Sequence, residues 1–221
     1  MKKLPTFRKN ELFEQAFVHR SYLNETRSKI ESNERLEFLG DSIISFVVSD
    51  HLYETYPHYN EGILTNLRSQ TVNTKSLAGF ARELSFGKYL KLSKGEEESK
   101  GRENESMLAN CFEAFTGALF LDQGLSAVKD FLSELLFPQI EDFVQKKSFK
   151  DPKSLLQELV QAKKMSSPIY KVMQEEGPPH AKKFTMGVYV NDKVIAEGMG
   201  KSKQIAEEAA AIAALEKMGH S

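Results

Sequence analysis

The sequence has only one cysteine, Cys111, so a disulfide bond within the chain is excluded. A lone cysteine is typical of proteins from a reducing compartment, and we expect a cytoplasmic location. No run of residues approaches the ~18 consecutive apolar residues of a membrane span, so we expect no membrane partner. The basic residues at the start are not followed by an apolar stretch, so no signal peptide is expected either.

The sequence also lacks an excess of positive charge: 30 Lys and Arg stand against 31 Asp and Glu, a net charge of −1. Overall charge therefore does not mark the chain as a nucleic-acid binder, and any such function must rest on local basic patches. A length of 221 residues with 40% hydrophobic residues is sufficient for one large or two small globular domains.

An acidic stretch, residues 33–42, opens an apolar helical run that continues to about Tyr53. At about 100° per residue, Glu34, Glu37 and Asp41 fall within about 60° of one another on one face. Carboxylates that share a partly buried face repel one another unless a cation neutralises them, and Mg²⁺ prefers oxygen ligands. This pattern indicates either a divalent-metal site or a solvated acidic edge of the helix.

A second helix, predicted over residues 106–122, is apolar almost all round and should be central to its domain. Its polar exceptions are Asn110, Glu113 and Thr116. Asn110 and Glu113 are three residues apart and share a face. We expect them to meet the acids of the first helix around one cation.

The remaining pattern predicts two domains. In the first domain we expect a helix over 11–23 closed by His19 and a helix over 33–53 capped by Ser32 or Asn33. Further helices are expected over 63–72, 74–84 and 125–144. Residues 93–105 are expected to form an exposed, mobile loop. After a polar linker, the order changes to a helix over 154–163, strands over 169–176, 184–190 and 193–200, and a helix over 203–218. A small α+β domain of the order α-β-β-β-α is therefore expected.

Residues 33–42 resemble the signature of the ribonuclease III family. Further matches are His19–Tyr22, Glu61-Gly62 with Arg68, Leu108–Ala114 and Phe120–Gly124. The C-terminal part resembles a double-stranded RNA-binding domain in Leu156–Glu158, Gly177–His180 and Gly198–Lys203. The two resemblances place an all-α nuclease domain at 1–147 and the RNA-binding domain at 151–219.

The resemblance implies an Mg²⁺-dependent endoribonuclease, with Mn²⁺ as a substitute, that cleaves double-stranded RNA. The expected products carry 5′-phosphate and 3′-hydroxyl ends with two-nucleotide 3′ overhangs, and the expected role is in rRNA and mRNA precursor processing. It implies a homodimer in which Phe38 enters a pocket of the partner subunit. The implied metal ligands are Glu37, Asp41, Asn110 and Glu113; Asp41 and Glu113 are also catalytic, with Glu34 and Glu61 on the RNA-facing side.

In the RNA-binding domain, the residues matched to RNA contacts are Gln157, Glu158, His180, Lys182, Lys201 and Lys203. The wide, shallow minor groove of A-form RNA presents 2′-hydroxyls, and the edges of its major groove present phosphates. Gln157, Glu158 and His180 suit the former, and Lys201 and Lys203 suit the latter. Where the family often has a third basic residue the chain has Gln204, which predicts a weaker grip on phosphate.

One site residue departs from the family pattern, because Asn110 stands where the family usually has Asp. An amide offers one neutral oxygen in place of a carboxylate, which should weaken metal affinity. Three interpretations stay open: an active variant that needs more Mg²⁺, an engineered substitution that traps substrate, and a weakened or inactive relative that only binds double-stranded RNA. A metal-binding hydrolase acting on nucleotides is a further alternative, which the RNA-binding domain disfavours.

Overall fold

The structure is a computed structural model that describes residues 4–26, 30–146, 152–178 and 182–219. The chain divides into two compact units, Met1–Phe149 and Lys150–Ser221. In its described parts the first unit is helical apart from one isolated bridge between Val18 and Lys91, and the second has the order α-β-β-β-α. The predicted fold class is confirmed.

The first unit contains seven α-helices among its described residues. They are α1 (Asn10–Ala16), α2 (Glu34–Thr55), α3 (Glu61–Thr71), α4 (Thr74–Glu83), α5 (Lys94–Glu98), α6 (Glu105–Gln123) and α7 (Leu125–Gln145). Short polar side chains start four of them: Asn60, Asn73, Ser93 and Asn104 each accept a hydrogen bond from the backbone N–H three residues further on. These caps satisfy N–H groups that a helix start would leave unpaired.

Helix α6 lies at the centre of the first unit, as its apolar composition predicted. Phe112 and Phe115 on this helix are fully buried. Phe115 contacts Phe17, Phe86 and Phe131, with ring centroids 4.9–6.1 Å apart. Burying side chains of this size dominates the energetics of such a core, so α6 fixes the position of the helices around it.

Helices α2 and α6 approach one another through glycine. A Cβ atom added to Gly40 would lie 1.8 Å from the carbonyl oxygen of Glu113, and one added to Gly117 would lie 2.2 Å from that of Leu36. No other residue type fits at either position without moving a helix. The two backbones therefore touch, and the side chains that flank the contact are held close together.

The predicted helix over 11–23 is wrong in its second half. Helix α1 ends at Ala16, because the next residues pair with a distant segment: Lys91 N–H donates to Phe17 O at 2.8 Å, and His19 N–H donates to Lys91 O at 3.1 Å. A 3-10 turn, Arg20–Asn24, follows. His19 starts this turn, where its Nδ1 accepts from Ser21 N–H at 3.3 Å, so it serves a structural role.

Two local predictions for the first unit also need correction. Asn33 precedes α2 but does not cap it, because its buried side chain instead donates to the carbonyl of Ala16 at 3.2 Å. Residues 93–105 are mostly exposed, as predicted, but they are not an irregular loop, since they contain α5 and a 3-10 turn, Gly101–Glu103. Arg102 holds this segment in place by donating to Gly87 O at 2.7 Å.

The second unit is built from α8 (Pro152–Ala162), β1 (Ile169–Glu176), β2 (Lys183–Val190), β3 (Lys193–Gly200) and α9 (Lys203–Lys217). Its strands form an antiparallel sheet in the order β1-β2-β3. Asn191 and Asp192 both have positive φ, 49° and 59°, which fits the predicted two-residue hairpin turn. The helices bury Leu156, Val160 and Ala210 against Val188 of the sheet.

Among the described residues, no helix combines the length and the apolarity that crossing a membrane requires.

We expect Gly40→Ala to destabilise the first unit by at least about 1–3 kcal/mol, because the new methyl group overlaps the backbone of α6. Gly79 supplies the matched control, since it also lies inside a helix but a Cβ there meets nothing within 4 Å. Gly79→Ala should instead stabilise α4 by about 0.5–1 kcal/mol. Chemical denaturation of both variants measures the difference, and equal free energies of unfolding would contradict the close contact.

Candidate functional site

The carboxylates predicted to hold a metal lie on either side of the glycine contact. Glu37 and Asp41 come from α2, one turn apart, while Asn110 and Glu113 come from α6, about two turns and one turn before Gly117. Glu37, Asn110 and Glu113 are partly buried, and Asp41 is exposed. The close approach of the two helices therefore brings a carboxylate from one helix within electrostatic range of two from the other.

The side chain of Glu113 carries the strongest perturbation in this group. Burial raises the pKa of its carboxyl to about 7, and the charges of Asp41 and Glu37 act in the same direction. In the described part of the chain, no Lys or Arg forms an ion pair with Glu37, Asp41 or Glu113. An uncompensated anion here is unfavourable, so the arrangement favours either a proton or a cation.

The pKa of the Glu37 carboxyl is also raised. Burial and the neighbouring charge of Glu34 raise the pKa of Glu37, whereas a hydrogen bond with Asn110 and the positive charge of Arg20 oppose the shift. A carboxylate can only accept, so the Asn110 amide is the donor. Asn110 thus supports Glu37 as well as offering its own carbonyl oxygen to the site.

A metal fits this set of residues chemically. The available donors are carboxylate and amide oxygens, which are the ligands that hard divalent cations take. As the side chains stand, no three His, Cys, Asp or Glu residues in the described ranges are arranged as a closed ligand cage. The feature that favours a cation is the pair of partly buried carboxyls, Glu37 and Glu113, whose pKa values are both raised.

The two outer acids predicted for the site have different surroundings. Glu34 begins α2, forms an ion pair with Arg20 at 3.7 Å and accepts from Ser32 Oγ at 2.9 Å. Glu61 begins α3, is exposed and accepts from Thr65 Oγ1 at 3.0 Å. Glu34 acts electrostatically on Glu37, whereas no contact that the structure gives within the described residues joins Glu61 to the other acids.

Phe38, the predicted dimer contact, is 79% exposed although it lies on α2 between two site residues. It borders a pocket of about 580 Å³ whose apolar lining includes Leu12, Leu36, Leu39 and Leu121. A large aromatic ring beside an apolar pocket is unusual on a monomer surface, and this combination indicates an interaction site.

In the second unit, the predicted RNA contacts lie on separate elements. Gln157 and Glu158 are exposed on α8, Lys201 is exposed just before α9, and Lys203 is its first residue. The structure brings Lys182, which precedes β2, together with Lys203 through Glu175. His180 lies outside the described residues.

Sequence reasoning missed two groups that organise these regions. Asp122 accepts from the backbone N–H groups of Arg8 and Lys9 at 2.7 and 2.9 Å, which ties the start of the chain to the end of α6. Its position in the Phe120–Gly124 match was the available signal. Glu175 was missed because nothing in the local sequence shows that two lysines converge on it.

Comparisons with known proteins agree with this architecture. Residues 9–140 match the family described as ribonuclease-III-like, and residues 152–218 match the double-stranded RNA binding motif. The chain is 48% identical to "Ribonuclease 3" of Streptococcus gordonii over 97% of its own length and 93% of that protein. For "Ribonuclease 3" of Lactococcus lactis the identity is 45%, with the same coverage of both chains.

Solved structures give the same result. The nuclease domain of ribonuclease III from Campylobacter jejuni aligns with a TM-score of 0.55 and 35% identity, over 59% of this chain and 88% of that one. A region of that nuclease domain is involved in dimer formation and shows structural flexibility. Dicer from Pichia stipitis aligns over 97% of both chains with a TM-score of 0.51 and 32% identity. The chain therefore belongs to the ribonuclease III family: it is an endoribonuclease in which a helical nuclease domain precedes a double-stranded RNA-binding domain.

Proposed function

We propose that the chain hydrolyses phosphodiester bonds in double-stranded RNA with Mg²⁺, leaving 5′-phosphate and 3′-hydroxyl ends. The observation that carries this proposal is the pairing of Glu37 and Asp41 with Glu113 across the glycine contact of α2 and α6. No nucleophilic side chain is needed for such a reaction, since water is the attacking group.

Glu37, Asp41, Asn110 and Glu113 are the residues that would hold Mg²⁺, and Mn²⁺ should substitute because it takes the same oxygen ligands. Bound there, the ion would acidify the attacking water and stabilise the leaving oxygen. The chain's own part is to keep these side chains aligned: the α2–α6 contact fixes their spacing, and Asn110 orients Glu37 by donating to it. We place Glu34 and Glu61 on the RNA-facing side of the site.

In this proposal the second domain binds the RNA duplex. Lys182, Lys201 and Lys203 are exposed cations suited to phosphates, and Gln157 and Glu158 are exposed on a helix that can face 2′-hydroxyl groups. With His180, these residues make up the proposed RNA-binding surface. Phosphate and hydroxyl contacts recognise duplex shape and carry little sequence information.

We further propose a homodimer in which each subunit places Phe38 in the apolar pocket of the other. A two-fold contact of this kind uses the same patch on both subunits, and here that patch contains both the ring and the pocket. Two sites in one dimer allow both RNA strands to be cut, which yields the two-nucleotide 3′ overhang. Processing of rRNA and mRNA precursors in the cytoplasm is the role we assign to it.

Incubation with a long RNA duplex tests the activity directly. The chain should yield short duplex products with Mg²⁺ and none with a chelator, and Asp41→Asn should lower the cleavage rate by at least about a hundredfold. Duplex binding by the Asp41→Asn variant, measured in parallel, controls for folding. Tight binding without short products at any Mg²⁺ concentration would establish instead a relative that only binds duplex RNA, as the replacement at position 110 allows.

The stability of the chain without metal should depend on the protonation of Glu113. Burial raises the pKa of this carboxyl to about 7, so the native state holds its proton more tightly than the unfolded chain does. The free energy of unfolding should therefore fall as pH rises from about 4.5 to about 7. At pH 8 the free energy of unfolding of Glu113→Gln should exceed that of the unsubstituted chain by about 1–2 kcal/mol after screening by solvent, and this gain should shrink at pH 5.

Two further measurements bear on this prediction. Glu98→Gln removes an exposed acid on α5 and should change little at either pH. Mg²⁺ should raise the melting temperature of the unsubstituted chain at pH 8 more than that of Glu113→Gln, since a ligand stabilises the state that binds it. A pH-independent difference between the chain and Glu113→Gln would show that the carboxyl is not perturbed.

Asn110→Asp should shift cleavage to lower Mg²⁺ concentrations, by about tenfold, because it adds an anionic ligand. The same change removes the hydrogen bond that Asn110 donates to Glu37 and adds a repulsive charge. The melting temperature without metal should therefore fall. Asn110→Ala is the control, since it loses the amide without gaining a charge and should not lower the Mg²⁺ requirement; equal or lower activity of the Asp variant would argue against a ligand at this position.

A further inference from the structure

A single carboxylate in the RNA-binding domain is shared by two lysines from different elements. Glu175, near the end of β1, accepts a hydrogen bond from Lys182 Nζ at 3.1 Å through Oε2. Its other oxygen, Oε1, lies 3.2 Å from Nζ of Lys203, the first residue of α9. The ammonium group of Lys203 also lies 5.6 Å from the ring centroid of Phe184.

The chemistry of this cluster matches that of a bound phosphate. Hydrogen bonds from Lys182 and Lys203 lower the pKa of the Glu175 carboxyl, so it remains an anion at neutral pH although burial opposes the shift. Two ammonium groups that converge on two oxygens of one anion are also placed to hold two oxygens of a phosphodiester. All three side chains are at least a third exposed, so a ligand from solvent can reach them.

We infer that Glu175 is the resident counter-anion of a phosphate-binding pair, Lys182 and Lys203, and that it sets how strongly this pair holds the RNA backbone. The inference rests on the proposed RNA-binding surface. An RNA phosphate must replace Glu175 as the acceptor of the hydrogen bonds from both lysines. The cost of breaking these bonds reduces the net affinity of the two lysines for the phosphate. In contrast, Lys201 forms no ion pair among the described residues and offers its full charge.

A purely structural function for Glu175 predicts the opposite response to mutation. The carboxylate joins the end of β1 to the segment before β2 and to the start of α9, so it could serve only as a clamp. If Glu175 served only as a clamp, its removal would leave the two lysine side chains no longer held near one another, and RNA binding would weaken. Removing a counter-anion leaves two unneutralised lysines and strengthens binding.

Glu175→Gln in the full chain separates these two possibilities, because glutamine keeps the shape and removes the charge. The affinity for an RNA duplex of about 20 base pairs, longer than the ~16 that one such domain covers, is measured over a range of salt concentrations. A chelator prevents cleavage. We expect the variant to bind about threefold to tenfold more tightly at low salt, with a log–log salt dependence steeper by up to about one unit.

Glu176→Gln is the matched control. Glu176 is the next residue of β1, is exposed, and accepts from Gln174 Nε2 at 2.6 Å. It lies opposite Lys183 in the sheet but forms no ion pair with a lysine among the described residues. Glu176→Gln removes the same formal charge without breaking an ion pair, so the affinity should change less than about twofold. If both variants gained the same affinity for the duplex, the change in net charge alone would explain the effect, and the inference would be overturned.

Weaker or unchanged binding by Glu175→Gln, with an unaltered melting temperature, overturns the role as counter-anion. If Glu175→Gln fails to fold, Glu175→Asp decides: its side chain is too short to hold both lysines, so tighter binding supports the inference and weaker or equal binding opposes it. Lys182→Gln and Lys203→Gln test the underlying surface, because unchanged duplex affinity in both would remove the proposed RNA contacts themselves.

Discussion

The nuclease unit depends on one backbone contact, at which Gly40 of α2 touches the backbone of Glu113 and Gly117 of α6 touches that of Leu36. This contact fixes the distance between the acids on the two helices. Those acids repel one another, so they stay together only because burial elsewhere holds the helices in place. The aromatic core around Phe112 and Phe115 supplies that burial, and the site is in this sense stabilised by residues that take no part in its chemistry.

The more deeply a carboxylate of the site is buried, the less its negative charge is compensated by neighbouring groups. Glu34 at the edge is exposed and has its own cation in Arg20, so the chain compensates it. Glu37 is partly buried and receives a hydrogen bond from Asn110, which is a weaker form of compensation. Glu113 has the most strongly raised pKa at the site, and among the described residues it has neither an ion pair nor a hydrogen bond from Asn110. The need for an external cation therefore increases toward the glycine contact, which is where a metal would meet ligands from both helices.

Features that depend on local periodicity could be predicted from the sequence. The shared face of Glu37 and Asp41, the central position of α6 and the Asn191-Asp192 hairpin follow from residues within a few positions of one another. Features that depend on distant partners could not. Helix α1 ends because Phe17 and His19 bond to Lys91, and Asn33 turns to Ala16 instead of capping α2. Both partners lie outside any local window, so helical pattern and cap preference gave the wrong answer.

The two units handle charge in complementary ways, which explains how a chain of net charge −1 can act on a polyanion. In the nuclease unit, no Lys or Arg among the described residues forms an ion pair with Glu37, Asp41 or Glu113, whereas the RNA-binding unit holds Lys182 and Lys203 around the carboxylate of Glu175. In the proposed function, a duplex would bring phosphates to these lysines, and a divalent cation at the acids would also screen the repulsion between the acids and RNA. The acidic site would repel RNA in the absence of metal, so binding of the duplex near it and binding of the metal should favour one another. Local arrangement, and not the total of positive residues, therefore determines what this chain can bind.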